Sequence, residues 1–369
     1  MKVLVTGGAG FIGSHLVRSL LKAGESVVVY DSLDPQVHVT KPAIPKHKKL
    51  SVVIGDVRNR KKLAGVVKKV DAVVHLAAAV GVGQSQYQIG HYVDVNLNGT
   101  GVLLDILANE KHKVGRVVVA SSMSAYGEGP GECPKCGRVR PGLRSDAAMK
   151  QGNWEPTCPV CGGSVAMTPT KESDRFLSTS IYAVTKMGQE ELVLNYGLAY
   201  GVPSVALRFF NVFGPGQSLS NPYTGVAAIF MGRLKNKHAP FLYEDGLQAR
   251  DFTSVHDIVQ AIELSLRKKI GAKRVFNVGT GVATPIKRIA EILIRCYKSD
   301  VEPQIVKKFR SGDIRHCYSD ITEIREALGY APKTNLEQGL RELVDWSAEV
   351  DARDTFERAQ KELVRRGLV

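Results

Sequence analysis

The chain has 369 residues, of which 44% are hydrophobic, 23% charged and 7% aromatic, a composition that excludes collagen-like, low-complexity and disordered classes and leaves room for two ordinary domains or one large one. Lys plus Arg exceed Asp plus Glu by 50 − 36 = 14; the excess would suit nucleic acid, an anionic surface or a polyanionic small molecule, or a solvated exterior, because much of it is scattered over residues 46–49, 58–62, 267–269 and 307–310. No run approaches the roughly 18 apolar residues of a membrane span, and MKVLVTGGAG meets glycines without a cleavage pattern, so a cytoplasmic protein is expected, not a secreted or membrane-inserted one.

The first predicted strand, VLVT (3–6), runs into Gly7-Gly8-Ala9-Gly10-Phe11-Ile12-Gly13 and then a helical period to residue 24. Glycines here permit a tight turn and close approach of a pyrophosphate to the backbone, while the helix start offers unpaired N–H groups to its charge. The second strand, SVVVYD (26–31), ends in Asp31, 18 residues beyond Gly13, where a carboxylate can accept hydrogen bonds from an adenosine ribose. Helix–strand packing alone would explain the glycines but not the acid, so a bound dinucleotide is predicted. The same carboxylate would repel a ribose 2′-phosphate, which favours NAD over NADP.

LSVVIGDV (50–57), DAVVHLAA (71–78) and RVVVASS (116–122) continue as strands, with a crossover helix over 95–110. Near-continuous Val, Ile and Leu runs are expected where helices cover both faces of a sheet. The fold class is therefore α/β, a doubly wound parallel sheet of Rossmann type over residues 1–212. The fifth strand ends in Ser121-Ser122-Met123-Ser124-Ala125-Tyr126-Gly127, placing hydroxyls at the carboxyl end of the sheet, where ligands of such folds bind.

Residues 128–172 break the rhythm with a Gly, Pro and Cys-rich insert. It carries Cys133-Pro-Lys-Cys136-Gly and Cys158-Pro-Val-Cys161-Gly, 21 residues apart, just beyond the roughly 15–20 usual between paired knuckles. Four thiolates predict one tetrahedral structural zinc in a zinc-ribbon-like insert, closed to catalysis because no ligand position is open. Two disulfides or a redox switch are the alternatives; Cys296 and Cys317 stand alone. Lying between two active-site segments, the insert is expected to form a lid or wall over the site.

The helical pattern over 178–201 contains Tyr182-Ala-Val-Thr-Lys186, which puts phenol and ammonium on one face. A cation beside a phenol lowers a pKa near 10 towards neutrality, as a base acting on an alcohol requires; the same spacing also occurs on ordinary helix surfaces. PSVALRFFNVFG (203–214) reads as the next strand and its end loop. After Gly216 the pattern mixes a turn at SNPYTG, helices at 256–268, 285–298 and 336–350 and a strand at 274–279, taken together as a smaller α/β substrate domain over residues 213–346. Residues 347–369 form a charged helical tail able to pack on the body or on another subunit.

These motifs together resemble the extended short-chain dehydrogenase/reductases, specifically the NAD-dependent epimerase/dehydratase family. The resemblance covers roughly residues 1–345 and is carried, in the family's order, by TGGAGFIG, Asp31, GDV (55–57), HLAA (75–78), Asn96 with Gly99-Thr100, SSMSAYG, YAVTK, RFFNVFGPG (208–216) and RDFTSVHD (250–257). It implies a catalytic set of Ser122, Tyr182 and Lys186. It implies NAD contacts from Gly7, Gly10, Phe11, Ile12, Gly13, Asp31, Asp56, Val57, Leu76, Ala77, Ala78, Asn96, Tyr182 and Lys186. A nucleotide sugar would be held by Gln84, Ser85, Ser122, Ser124, Asn211, Arg250 and Arg310. Plainer roles stay open: Asp56 as a loop cap, Asn211 satisfying backbone, the arginines in ion pairs. His75 and His256 read as packed or turn residues. A homodimer is implied; nucleic acid and membrane are not expected partners.

Met123 and Ser124 stand where dehydratases of the family carry an Asp-Glu pair, and where a decarboxylase branch places a glutamate. What remains is the minimal set for reversible oxidation, so an isomerase, a nucleotide-sugar 4-epimerase, is expected. AAAVGVGQS (77–85), SMSAYGEG (122–129) and the cysteine insert resemble the dTDP-L-rhamnose 4-epimerase type; UDP-hexose and UDP-hexuronate 4-epimerases are similar as well. A dehydratase, a 4-ketosugar reductase and an NAD-sensing nucleic-acid-binding regulator are the alternatives. Asp31 argues against a reductase consuming NADPH, and retention of Ser122, Tyr182 and Lys186 argues against the regulator.

Overall fold

The computed structural model describes residues 1–38, 42, 44–223, 225–310 and 312–368. The chain starts with β1 (Lys2–Thr6), α1 (Phe11–Lys22), β2 (Ser26–Asp31), β3 (Leu50–Ile54), α2 (Arg60–Val67) and β4 (Ala72–His75). Short helices α3 (Val82–Ser85) and α4 (Ile89–Tyr92) lead through a π-helical stretch, Val93–Asn98, into α5 (Gly99–Asn109) and β5 (Val117–Ser122). The insert holds β6 (Gly131–Cys133), β7 (Gly137–Val139), α6 (Asp146–Lys150) and β8 (Ala166–Met167). Then come α7 (Ile181–Tyr200), β9 (Ser204–Phe209), β10 (Asn211–Phe213), α8 (Val226–Lys235), β11 (Phe241–Leu242), β12 (Ala249–Arg250), β13 (Phe252–Ser254), α9 (Val255–Arg267) and β14 (Lys273–Val278). Helices α10 (Ile286–Tyr297), α11 (Thr322–Leu328), α12 (Leu336–Ser347) and α13 (Phe356–Arg365) complete the order.

The main sheet runs β14-β9-β5-β4-β1-β2-β3, and every neighbouring pair is parallel. Successive side chains of a strand point to opposite faces, and the valine runs use both. Val3, Val5, Val27 and Val29 pack with Leu16 and Leu20 of α1 and Ile258 and Ile262 of α9. Leu4, Val28 and Tyr30 pack on the other side with Leu63 of α2, Leu103 of α5 and Val193 of α7. The order reverses between β1 and β4, and a crevice opens outside the strand ends at such a switch point.

Two expectations change. The run at 50–57 is not a buried strand: β3 is the sheet edge, with Val52 and Ile54 among the exposed residues. The segment after residue 213 is not one separate lobe either. β14 extends the main sheet beside β9, with Phe276 and Val278 buried, and α9 and α11 join its α1-side core. The unpaired edge of β9 is the physical reason: pairing it satisfies six residues of backbone in register. The second lobe is built from α8, α10 and α12 around Phe213, Phe230, Met231, Ile289, Leu293, Leu340 and Leu343. The tail packs on the body through Leu363 and Ala359, with Phe356 5.6 Å from the Phe241 ring and Arg366 4.2 Å above Tyr87. Among the described residues no helix is long and apolar enough to cross a membrane.

Candidate active site

The glycine turn is dictated by backbone proximity. Gly7 has φ +68°, and a Cβ there would lie 2.9 Å from the Ala77 nitrogen. A Cβ on Gly13 would sit 2.2 Å from the Gly7 carbonyl oxygen. Gly10 is the N-cap of α1, with neither a side-chain cap nor an acidic residue in the first turn, so that helix end presents its N–H groups and positive dipole without internal compensation. Phe11 and Ile12 open the helix behind it, Phe11 lying 6.1 Å edge-on from His15. Asp31 is buried, and the structure gives it a duty besides any ribose: it accepts from the backbone of Ala9 and of Leu33, each at 2.9 Å, locking the glycine loop to the end of β2. Asp56 is held well below the usual carboxylate range by its hydrogen bonds to Arg58, and Val57 is buried against Gly99.

Leu76, Ala77 and Ala78 follow β4 beside that turn. Their loop is fastened by Asn96, which accepts from the Ala79 nitrogen (2.7 Å) and donates to the Ala79 carbonyl (3.1 Å) and to Thr185 (2.9 Å). Asn96 lies in the π-helical stretch, a geometry often found at functional sites; both its N–H groups are used within the protein.

Ser122 closes β5. Its hydroxyl accepts from the Ser124 backbone (3.2 Å) and hydroxyl (2.9 Å), which leaves its own proton for another acceptor. That neighbour is the Tyr182 phenol, whose ionisation the Ser122 hydrogen bond favours. Lys186, one helical turn along α7, donates to Gln189 at 2.8 Å. Burial, rather than the ammonium, dominates the ionisation of this pair. Burial pushes Tyr182 up to about 12, partly offset by Ser122 and not by the ammonium. Lys186 is itself lowered to about 7 by burial, against the pull of Glu190. Desolvation outweighs a cation that is often discharged near pH 7.

Sequence reasoning missed what stands behind Lys186. Gln189 donates to Thr100 (2.9 Å), Thr100 donates to the Asn96 carbonyl (2.6 Å), and His75 lies between Thr100 (3.0 Å) and Thr6 (2.8 Å). Thr100 has given its one proton to the Asn96 carbonyl and can only accept from His75 Nε2, so the neutral imidazole carries its proton there and Nδ1 accepts from Thr6. All five side chains are buried. A buried glutamine three residues after the lysine was the available signal. Burial, reinforced by the Lys186 charge, pushes His75 down to about 3. A folded-state pKa below the unfolded one gives stability that is complete above about pH 6.5 and is lost as pH falls towards 3. Urea unfolding midpoints should therefore drop between pH 6.5 and 4, and the drop should be shallower in His75→Gln.

Gln84 and Ser85, expected to hold the sugar, are engaged within the protein. Gln84 exchanges hydrogen bonds with Gln36 and accepts from Tyr92; Ser85 donates to the Val82 carbonyl and accepts from the Tyr182 backbone. Both are buried: Ser85 pins α3 onto the start of α7, and Gln84 ties it to Gln36 and to Tyr92 of α4. Asn211 presents a buried amide oxygen without a protein donor. Arg250 donates to the carbonyls of Ala249, Ile314 and Arg315, while Arg310 stacks 4.5 Å over Tyr243 and lies 3.1 Å from Asp313. His256 is exposed in the first turn of α9 and pairs with Glu342 at 2.9 Å, while His75 is internal. In the insert, the Sγ atoms of Cys133, Cys136, Cys158 and Cys161 lie within 4.8 Å of one another.

Comparison with known proteins agrees with this geometry. The NAD dependent epimerase/dehydratase family model matches residues 3–141 and the GDP-mannose 4,6 dehydratase model residues 161–343; what lies between them, 142–160, is insert. The chain is 36% identical to the dTDP-L-rhamnose 4-epimerase of Burkholderia thailandensis, covering 94% of this chain and 95% of that one. Among solved structures it is similar to the UDP-N-acetylglucosamine 4-epimerase of Methanobrevibacter ruminantium (31% identity, TM-score 0.77, covering 94% and 98%). It is also similar to the dTDP-glucose 4,6-dehydratase DesIV of Streptomyces venezuelae with NAD and TYD bound (28%, TM-score 0.78, covering 95% and 98%). With near-complete coverage at that identity, a parallel seven-stranded sheet and the Ser122, Tyr182 and Lys186 cluster at its carboxyl edge, the chain belongs to the NAD-dependent epimerase/dehydratase family of the short-chain dehydrogenase/reductases.

Proposed function

We propose that this protein is an NAD-dependent nucleotide-sugar 4-epimerase, of the dTDP-L-rhamnose type. One observation carries the reading. Beside the Tyr182 phenol stands a Ser122 hydroxyl oriented by Ser124, and the two positions after Ser122 hold a buried methionine and that serine, with no carboxylate to drive elimination of water. The uncapped start of α1, the glycines and Asp31 suit a dinucleotide, which when bound supplies reversible hydride transfer at sugar C4. Tyr182 takes the O4 proton as C4 is oxidised and returns it on reduction; Ser122 donates to the same oxygen; Lys186, held by Gln189, offers its remaining N–H groups to the phenol side of the cleft. Asn211, Arg250 and Arg310 are assigned to the nucleotide sugar. Exposed apolar residues of α7, namely Val184, Leu192, Leu198 and Tyr200, support a homodimer.

The test is a panel of dTDP- and UDP-sugars incubated without added cofactor and followed by NMR of the ring protons. A C4 epimer formed without external NAD is expected; accumulation of a 4-keto-6-deoxy product instead would establish dehydration.

The cysteine cluster fits a structural zinc. A tetrahedron with Zn–S bonds of about 2.3 Å has S···S edges of about 3.8 Å, and the four sulfurs need only small shifts from their spacing within 4.8 Å. Reduced thiolates of this kind accord with a cytoplasmic setting. Protein purified without chelator should carry about one zinc per chain, and chelation or Cys158→Ser should expose residues 131–167 to proteolysis. Metal analysis finding none would remove the assignment.

A further inference from the structure

We propose that the cysteine insert is a brace for the nucleotide end of the active site: the loop between the two cysteine pairs fixes the segment that carries Arg310, and so sets affinity for a nucleoside diphosphate without taking part in the chemistry. The proposal rests on Arg310 as a ligand of the nucleotide sugar.

The loop closed by the cluster, residues 137–157, delivers three side chains to one place. Arg144 is almost fully buried; it pairs with Glu244 at 2.9 Å and donates to the carbonyls of Asp313 and Trp154 at 3.0 Å. The Trp154 ring lies 6.4 Å from that of Phe309, the residue before Arg310. Glu155 pairs with Arg315 at 2.6 Å and with His316 at 2.9 Å. Arg315, fully buried, continues to Glu244 (2.8 Å) and Asp245 (2.6 Å). Ahead of the first cysteine, Glu128 accepts from the backbones of Arg315 and His316 at 2.6 Å, and Gly129 donates to the His316 carbonyl at 2.8 Å.

Arg310 is thus gripped on both flanks, at Phe309 and at 313–316, by residues of the insert, while its own side chain meets Asp313 and Tyr243, both outside the insert. Buried ion pairs make the grip specific, since removing one member leaves the other charged and desolvated. The place of the cysteines in this is geometric: they bring residues 133–136 and 158–161 together, and the three contacts hang from the chain between, where a bound metal would hold the closure. Ser122, Tyr182 and Lys186 stand on β5 and α7; the insert approaches that end through Arg140, which donates to the Tyr126 carbonyl, so Arg140 is not a useful probe.

The experiment uses the NAD-bound enzyme. UDP and dTDP, each alone, are titrated by calorimetry into the wild type, Trp154→Ala, Arg144→Met and Arg310→Ala, with kcat and KM, hydrogen exchange at 309–316 and zinc content measured on the same samples. Trp154→Ala and Arg144→Met should keep their zinc, exchange faster at 309–316, and weaken nucleoside diphosphate binding and raise KM by about tenfold, with kcat within about twofold. Trp154→Ala covers the case in which the buried Arg144 cannot be replaced without unfolding. Unchanged affinity in the insert variants, alongside weakened binding in Arg310→Ala, overturns the brace alone. Unchanged affinity in Arg310→Ala removes the assignment of Arg310, and the brace falls with it. A fall in kcat at constant KM in the insert variants would place the insert's effect on the chemistry and overturn the proposal.

Discussion

Tyr182→Phe should lower epimerisation by about 10²- to 10⁴-fold in kcat while the protein keeps its fold and its cofactor. The phenol is the group placed to move a proton at O4. Its hydrogen-bond neighbour, Ser122, is already oriented by two donors from Ser124 and keeps its geometry when the phenol oxygen is lost. Phe preserves the ring that packs 6.4 Å edge-on against Tyr92, so thermal unfolding should shift little. The loss should therefore sit in the chemical step, with substrate affinity retained. Burial holds the free phenol near 12; a group with its pKa raised in this way is protonated at working pH, and the wild-type rate should climb with pH as phenolate forms. In Tyr182→Phe that climb should vanish. A variant with near-normal turnover and the wild-type pH profile would remove Tyr182 from the mechanism.

Much of this site was legible because it is local. The glycine turn, Asp31, the hydroxyls ending β5 and the Tyr182–Lys186 pair each follow from a few neighbouring residues whose spacing has one geometric meaning on a strand or helix. The paired cysteines read the same way: two tight knuckles can converge wherever the chain between them goes, and they do. Reading failed where partners are distant in sequence. Nothing near Glu128 announces that it will accept from backbone at 315 and 316, and nothing near Lys273 announces pairing with Ser204. Nothing near Gln84 and Ser85 announces their partners either, Gln36 and Tyr92 for the one and the Tyr182 backbone for the other. The lysine–tyrosine electrostatics were beyond spacing for another reason: spacing gives proximity, but the sign of a pKa shift depends on how much water is left, which only the packed structure shows. Asp31 was read too narrowly, since one carboxylate has enough lone pairs to hold the glycine loop and a ribose together.

The glycine turn yields a second large effect, and one that separates folding from binding. At Gly13 an added methyl would stand 2.2 Å from the Gly7 carbonyl oxygen and 2.7 Å from Gly8 Cα. Both are backbone atoms, so no side chain can rotate away and α1 must lift off β1. Leu16, Val17 and Leu20 would shift with it, out of the core they share with α9. Gly13→Ala should cost about 1–3 kcal/mol, the usual range of overpacking penalties, and purified protein should contain almost no NAD. Gly10 is a contrasting control. Its φ of −72° is open to alanine, and the nearest atom to its added methyl, the Gly7 oxygen, is 3.3 Å away, so Gly10→Ala should unfold near the wild-type temperature. What the methyl occupies is the approach to the unpaired N–H groups of α1, where a pyrophosphate must come close; retained NAD should fall while the fold stands. NAD released on denaturation, measured beside the thermal midpoint for both variants, resolves the two effects. A Gly13→Ala protein with a full complement of cofactor and unchanged melting would show that the turn does not clasp the dinucleotide as its geometry indicates.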